Sequence, residues 1–212
     1  AEQRIQLEKI KNDQLQTELK FLKSQYHPHF LFNALNTVYF QIDESNKAPR
    51  RTLEMISELL RYQLYGGNQK VSILQEIDYL KTYIALRKLR MSERLRLRVE
   101  FPPELNELNI YPLLFLPLVE NAFKYVGGDY QLDIIMKWEN NRISLFIRNS
   151  IPELSAEDEA LRKSVDERQR KGIGLVNLRR RLSLLYPNKH RLETRKEETE
   201  FVAELMIEIE DI

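Results

Sequence analysis

The 212-residue chain contains no cysteine, which excludes a disulfide framework, a thiolate metal site and a cysteine nucleophile. It has no excess of charge of either sign. The 33 Lys+Arg face 32 Asp+Glu, a formal net charge of +1, so there is no electrostatic case for direct nucleic-acid binding or for an acidic tail. It also lacks a long apolar run. The longest, Ile110 to Val119, is interrupted by Pro112 and Pro117 and reaches about half the ~20 residues that cross a bilayer, so no spanning segment is expected. The chain opens Ala-Glu-Gln in a charged helical pattern without signal-peptide features, and reads as a piece of something longer. What is present is 42% apolar and 31% charged residues, enough to build a core and to exclude wholesale disorder. The length suits one large domain or two small ones.

Glycine is scarce, and its placement divides the chain. The six glycines fall in three pairs, Gly66-Gly67, Gly127-Gly128 and Gly172/Gly174, each at an expected boundary. Residues 1–25 place Ile5, Leu15, Leu19 and Leu22 at near-heptad spacing among Glu, Lys and Gln, a stripe narrow enough to favour a coiled-coil dimer. Beyond Pro28 the helical pattern continues, with Leu31, Leu35, Val38 and Ile42 within a ~60° arc and His29, Asn33 and Asn36 opposite. A second helix carries Leu53, Ile56, Leu59 and Leu60, completing an antiparallel hairpin that ends at Gly66-Gly67.

The remainder, residues 68 to 212, predicts a second domain with its own core. Helices are expected over Leu74–Met91, over Pro112–Val126 and from Gly174 to Leu185. Strands are expected over Leu95–Phe101, Gln131–Trp138, Arg142–Asn149, Arg191–Lys196 and Glu200–Glu208. Residues 151–171 hold 11 charged positions out of 21 and predict a loop or weak helix. The expected class is therefore α+β: an N-terminal helical hairpin over residues 1–67, then strands covered by helices on one face.

Three constellations carry chemistry. The first is Leu22-Lys23-Ser24-Gln25-Tyr26-His27-Pro28-His29-Phe30-Leu31-Phe32-Asn33-Ala34-Leu35-Asn36. His29 lies opposite the apolar stripe and faces outward. Asn33, one turn on, can hydrogen-bond one imidazole nitrogen and decide which nitrogen is the free nucleophile. A neutral imidazole is a competent phosphoryl acceptor. The stretch resembles the phosphoacceptor helix of the LytS/YehU-type sensor histidine kinases, and the resemblance implies that His29 is autophosphorylated. His27 is the other candidate acceptor.

The second is Leu116-Pro117-Leu118-Val119-Glu120-Asn121-Ala122-Phe123-Lys124-Tyr125. Glu120 and Lys124 have the spacing of an intrahelical pair. Glu and Asn inside an apolar run are expected to lie deep, where unsatisfied polar groups cost ~1–3 kcal/mol each. Their oxygens are of the hard kind that Mg²⁺ takes while sharing phosphate oxygens. The stretch is similar to the N box of the Bergerat-fold (GHKL) ATPases. That similarity implies ATP and Mg²⁺ as cofactors, Asn121 as metal ligand, Glu120 as the polar or general-base group beside the γ-phosphate, and Lys124 as a phosphate contact. Tyr125 stands where the family often has His.

The third, Lys171-Gly172-Ile173-Gly174-Leu175-Val176-Asn177-Leu178-Arg179-Arg180-Arg181-Leu182, follows a charged loop and opens a helix, so backbone N–H groups can meet an anion. It resembles the same family's G box. Gly172 and Gly174 would let the lid approach ATP, and Asn177 and Arg181 would lie near the phosphates or pack the helix. Arg179 and Arg180 read as a solvated helical face. One piece departs from the family: where an Asp-x-Gly box is usual, Arg148-Asn149-Ser150-Ile151 offers Asn149 and no Gly. An Asn carbonyl can accept the adenine amino hydrogen without charge assistance.

Together these resemblances imply a two-component sensor histidine kinase that acts as a homodimer. ATP would phosphorylate His29, and the phosphoryl group would pass to an Asp of a response-regulator receiver domain. They imply the cytoplasmic part of a bacterial inner-membrane protein, whose sensor and membrane regions lie outside this sequence, with no direct nucleic-acid partner. The alternative is a degenerate, weakly ATP-binding dimeric signalling module, which the altered adenine box favours.

Overall fold

The computed structural model describes residues 28–65, 69–103, 105, 108–152 and 173–209. The expected coiled-coil segment 1–25, His27, the Gly66-Gly67 break, Gly172 and nearly all of the charged segment 151–171 lie outside the described residues. The chain divides into two compact units, Ala1–Tyr65 and Gly66–Ile212.

The first unit contains helices α1 (Pro28–Gln41) and α2 (Lys47–Tyr65). Proline at the start of α1 loses no helical hydrogen bond, because the first N–H groups of a helix have no internal partner. The antiparallel pairing is visible at both ends. Phe32 stacks on Tyr65 with ring centroids 6.2 Å apart, and the Tyr39 hydroxyl donates to Glu54 at 3.1 Å. Between the helices, Arg50 caps α1 by donating to the Ile42 carbonyl through both Nε (3.1 Å) and a terminal nitrogen (2.9 Å). The buried residues of α2 are Met55 and Leu59.

The second unit is α+β, the class the sequence predicts. Its helices are α3 (Ile73–Lys88), α4 (Leu116–Tyr125) and α5 (Ile173–Leu185), and its main strands are β2 (Arg96–Glu100), β4 (Gln131–Glu139), β5 (Arg142–Ser150), β6 (His190–Lys196) and β7 (Glu200–Glu208). These form a sheet of order β2-β4-β5-β7-β6, in which only the β2–β4 pair is parallel. Two short strands the periodicity did not reveal, β1 (Val71–Ser72) just before α3 and β3 (Asn109–Ile110) after β2, pair antiparallel. At two residues each, they are too short to leave an alternation.

Local chemistry explains the boundaries. Ser72 caps α3: its Oγ accepts from Leu74 N–H at 3.3 Å, and Gln75 reaches back to Ser72 N–H at 3.2 Å, a complete capping box. Asn140 and Asn141 both adopt positive φ (51° and 59°), the primed turn whose twist suits the β4–β5 hairpin. Helix α4 begins at Leu116, four residues later than the pattern suggested, because Leu113 has φ 59° and breaks the helix there.

The core lies between one sheet face and the helices. Leu132, Ile134 and Met136 of β4, Ile143, Leu145 and Ile147 of β5, and Leu205 and Ile207 of β7 are buried against Ile77, Leu80, Leu118, Val119, Leu178 and Leu182. Each such side chain stabilises the fold by about 1.5–3 kcal/mol. On the other sheet face the nearly buried Asp133 accepts from Arg148 Nε at 3.0 Å and from a terminal nitrogen at 2.6 Å. This contact also raises the pKa of Arg148.

Candidate functional site

In the first unit, His29 is exposed in the first turn of α1. Asn33 stands one turn further, its Nδ2 3.1 Å from His29 Nδ1, and its own carbonyl accepts from the Thr37 hydroxyl at 2.8 Å. The contact has two chemical forms. If the amide nitrogen donates, Nδ1 is the acceptor and Nε2 carries the proton. If the amide is turned, Oδ1 accepts from Nδ1–H and Nε2 keeps a free lone pair. Only the second form presents a nucleophile at the outward nitrogen.

The stripe expected on α1 is not fully buried. Leu31, Leu35 and Ile42 are half-buried, but Val38 is exposed, as are Phe30 (70%) and Phe40 (78%). A single partner helix covers only one side of α1, and among the described residues nothing covers the rest.

In the second unit, α4 carries Glu120, Asn121, Lys124 and Tyr125. The expectation that Glu120 and Asn121 lie deep is corrected: Glu120 is exposed along the edge of the helix and Asn121 is half-buried. The helix buries Leu118, Val119, Ala122 and Phe123 instead, which is the amphipathic stripe that 100° per residue dictates. The Glu120 carboxyl nevertheless lies partly against the protein. Desolvation pushes its pKa up while the Arg87 guanidinium pulls it down. Arg87 itself lies over the Phe123 ring, 5.7 Å from its centroid. Lys124 does not close the expected pair with Glu120; its ammonium group lies 5.0 Å from the centre of the Tyr125 ring.

The end of α4 is tied to the end of β5. Gly127 N–H donates to the Ser150 carbonyl at 3.0 Å, and the Ser150 hydroxyl donates to the Gly127 carbonyl at 2.7 Å. Gly127 is needed for this approach, since a Cβ there would stand 2.9 Å from Pro152 Cδ. Asn149 is thereby held beside α4, on the helix-facing side of β5 opposite Leu132. It is 1% exposed. Its Nδ2 donates to the Ser150 carbonyl at 3.2 Å, and its Oδ1 is buried without a hydrogen-bond partner. A buried acceptor left empty costs about 1–3 kcal/mol. A ligand that donates a hydrogen there would remove that cost.

Helix α5 begins at the glycine motif. Gly174 and Asn177 are exposed, and a Cβ at Gly174 would meet nothing within 4 Å. Arg181 is placed differently. It is half-buried, and burial lowers its pKa while the nearby Glu76 carboxylate and Tyr186 oppose that shift. Arg179, expected on a solvated face, donates to the Leu192 carbonyl at 2.8 Å. It therefore ties α5 to β6. The structure thus gathers Asn121, Lys124, Tyr125, Asn149, Gly174, Asn177 and Arg181 into one unit, and His29 and Asn33 into the other.

Among the described residues no group of three or more His, Asp or Glu side chains could hold a metal ion. An amide oxygen such as that of Asn121 is a hard donor, the type that fits a divalent cation bound together with a polyphosphate. Sequence reasoning passed over Glu76, which is fully buried. The available signal was an acidic residue at a core position, three residues after Ile73 and four before Leu80.

Residues 17–95 match the family model described as histidine kinase. The sensor protein kinase HptS of Staphylococcus aureus, in strains USA300 and NCTC 8325, is 29% identical over 180 residues, covering 82% of this chain and 35% of the relative. The chain therefore spans about a third of the length of the curated relatives it matches. Among solved structures, the histidine kinase domain of the Erythrobacter litoralis EL346 blue-light-activated kinase aligns at TM-score 0.47 and 14% identity, over 82% of this chain and 93% of that one. No helix among the described residues is long and apolar enough to cross a membrane.

Proposed function

We propose that this chain, whose residues 17–95 match the histidine kinase family model, is the transmitter part of a two-component sensor kinase. The observation that carries the reading is the exposed His29 with Asn33 at 3.1 Å from its inner nitrogen, inside the matched segment. With Oδ1 of Asn33 accepting from Nδ1–H, the Nε2 lone pair attacks the γ-phosphorus of ATP. The bond from that phosphorus to the β–γ bridging oxygen breaks, ADP leaves, and the imidazole carries the phosphoryl group. A carboxylate of a receiver-domain Asp then takes it in a second displacement, regenerating neutral imidazole. Such transfers depend mostly on positioning and charge neutralisation.

The nucleotide is assigned to the second unit. Asn149 Oδ1 would accept the adenine amino hydrogen, which answers its lack of a partner. Lys124 would meet phosphate oxygens, and Gly172 and Gly174 would let the backbone approach them. Mg²⁺, held by Asn121 and the phosphates, would supply neutralisation of the phosphate charge. Glu120 would stand beside the γ-phosphate as a polar or general-base group, with Tyr125 and Asn177 lining the site. An unsatisfied acceptor at Asn149 is what an adenine pocket offers, and it weighs against the degenerate-module alternative. Exposed Phe30, Val38 and Phe40 support a homodimer formed through the helical unit. By the same reading the chain is the cytoplasmic part of a membrane-anchored sensor, with a response-regulator receiver domain as partner.

The test is incubation with γ-labelled ATP and Mg²⁺, followed by acid and alkali treatment of the labelled protein. A phosphoimidazole loses its label in acid and keeps it in alkali. Acid-stable label would overturn the assignment to His29.

A further inference from the structure

Glu76 lies in the first turn of α3 and is 0% exposed. A buried carboxylate is retained only where partners compensate its desolvation, and one of them lies in the turn that leads into the Asn121 motif. Its Oε2 accepts from Leu113 N–H at 2.9 Å. Leu113 has φ 59°, a conformation that a leucine adopts only when its surroundings hold it. It stands three residues before α4, so this bond fixes where the Asn121 helix starts. The same turn is gripped a second time, by the Tyr186 hydroxyl accepting from Tyr111 N–H at 3.3 Å. Tyr186 directly follows α5, and its N–H returns to the Leu182 carbonyl at 2.8 Å. On α5 itself, the Glu76 charge holds the Arg181 pKa up against the burial that lowers it. One carboxylate therefore ties α3 to the strained turn ahead of α4, and its charge acts on Arg181 of α5.

We propose that Glu76 is a positioning residue for nucleotide binding: it holds the Leu113 turn, which Tyr186 ties to the end of α5, and its charge faces Arg181, so that the Asn121 helix and the glycine-led helix keep their mutual placement. This inference rests on the nucleotide reading given above and adds a role to a residue that touches neither base nor phosphate. It also assigns Arg181 to Glu76 rather than to the phosphates. The acceptor and the charge are separable. Glu76→Gln keeps an oxygen for Leu113 N–H but removes the charge that Arg181 faces, whereas Glu76→Ala removes both.

The experiment measures binding of a non-hydrolysable ATP analogue with Mg²⁺ by calorimetry, together with thermal unfolding, on the full chain. The variants are Glu76→Gln, Arg181→Met, their double variant and Tyr186→Phe. Glu76→Gln is expected to weaken binding about tenfold, and Arg181→Met to do the same with no further loss in the double variant, since coupled residues do not add. Tyr186→Phe, which loosens the same turn from its other grip, should weaken binding in the same direction. Glu76→Gln and Tyr186→Phe that lower the unfolding temperature but bind as the parent does would reduce Glu76 to a fold-holding residue and overturn the proposal. So would additive losses in the double variant, which would return Arg181 to the phosphates. Failure of the parent chain itself to bind the analogue would sink the nucleotide reading and this inference with it, an outcome distinct from parent binding with unaffected variants.

Discussion

Asn149→Asp separates two properties of one buried side chain. In the ligand-free protein the change removes the Nδ2–H bond to the Ser150 carbonyl, 3.2 Å long. It also places a carboxylate oxygen against that carbonyl at a site 1% exposed. The lost neutral bond accounts for ~0.5–1.5 kcal/mol and the uncompensated buried group for ~1–3. The expected loss of stability at pH 8 is therefore about 2–4 kcal/mol, or a urea midpoint lowered by about 1–2 M. Trp138, the chain's one tryptophan, lies on β4 beside β5 and reports this unit by fluorescence. Burial holds the introduced carboxyl's pKa above its unfolded value of about 3.9, so the unfolded chain gives up its proton first. Stability is then retained at low pH and lost as pH rises through that interval, so the deficit at pH 5 is smaller than at pH 8. With nucleotide present the sign reverses. A charge-assisted bond to the adenine amino group adds about 1–1.5 kcal/mol over a neutral one, roughly tenfold in affinity. GTP, which presents a carbonyl there, gains nothing. An unchanged urea midpoint at pH 8 would show that Asn149 is not in a dry site. Equal changes for ATP and GTP would show that it does not read the base.

Three further outcomes are expected. His29→Gln abolishes acid-labile labelling while the ATP analogue still binds, because the acceptor and the nucleotide residues belong to different units; label surviving in this variant but lost in His27→Gln would reverse the assignment. Asn33→Asp, which can only accept from Nδ1–H, retains autophosphorylation, whereas Asn33→Ala slows it about tenfold or more; an inactive Asp variant would mean that the Asn33 amide nitrogen, not its oxygen, serves His29. Asn121→Ala lowers the Mg²⁺ dependence of analogue binding, measured by calorimetry with and without the metal, because one of few oxygen ligands is gone; an unchanged dependence would make Asn121 a structural residue.

Strong local periodicity made most of the second unit legible. Strands β4, β5 and β7 and helix α3 lie within a few residues of expectation, because alternation and capping are written in consecutive residues. The turn between β4 and β5 falls on Asn140-Asn141, a residue type that tolerates positive φ. Less legible was whatever depends on partners distant in sequence. Glu120 was expected deep because its neighbours are apolar, but the rotation of α4, set by contacts with α3 and the sheet, turns it outward. Leu113 carries no mark of its left-handed conformation, and the carboxylate that accepts its N–H lies 37 residues earlier. Arg179 looked solvated until its helix lay beside the carbonyls of β6. The motif glycines and asparagines were recognisable by pattern, yet the empty acceptor at Asn149 is a property of three-dimensional burial.

The sheet order has a kinetic consequence. The β4–β5 and β6–β7 hairpins join neighbours in sequence, so each can zip within about 1–10 μs. Strand β2 instead reaches β4 by a parallel crossover that carries β3 and α4 with it, and its loop must close before any of its ladder bonds repays the entropy. The strand is five residues long and lies at the sheet's margin, so a single short ladder holds it in place. In amide exchange the Arg96–Glu100 amides that bond to β4 should therefore open at a lower free energy than the central β5 strand, whose two flanks are both paired.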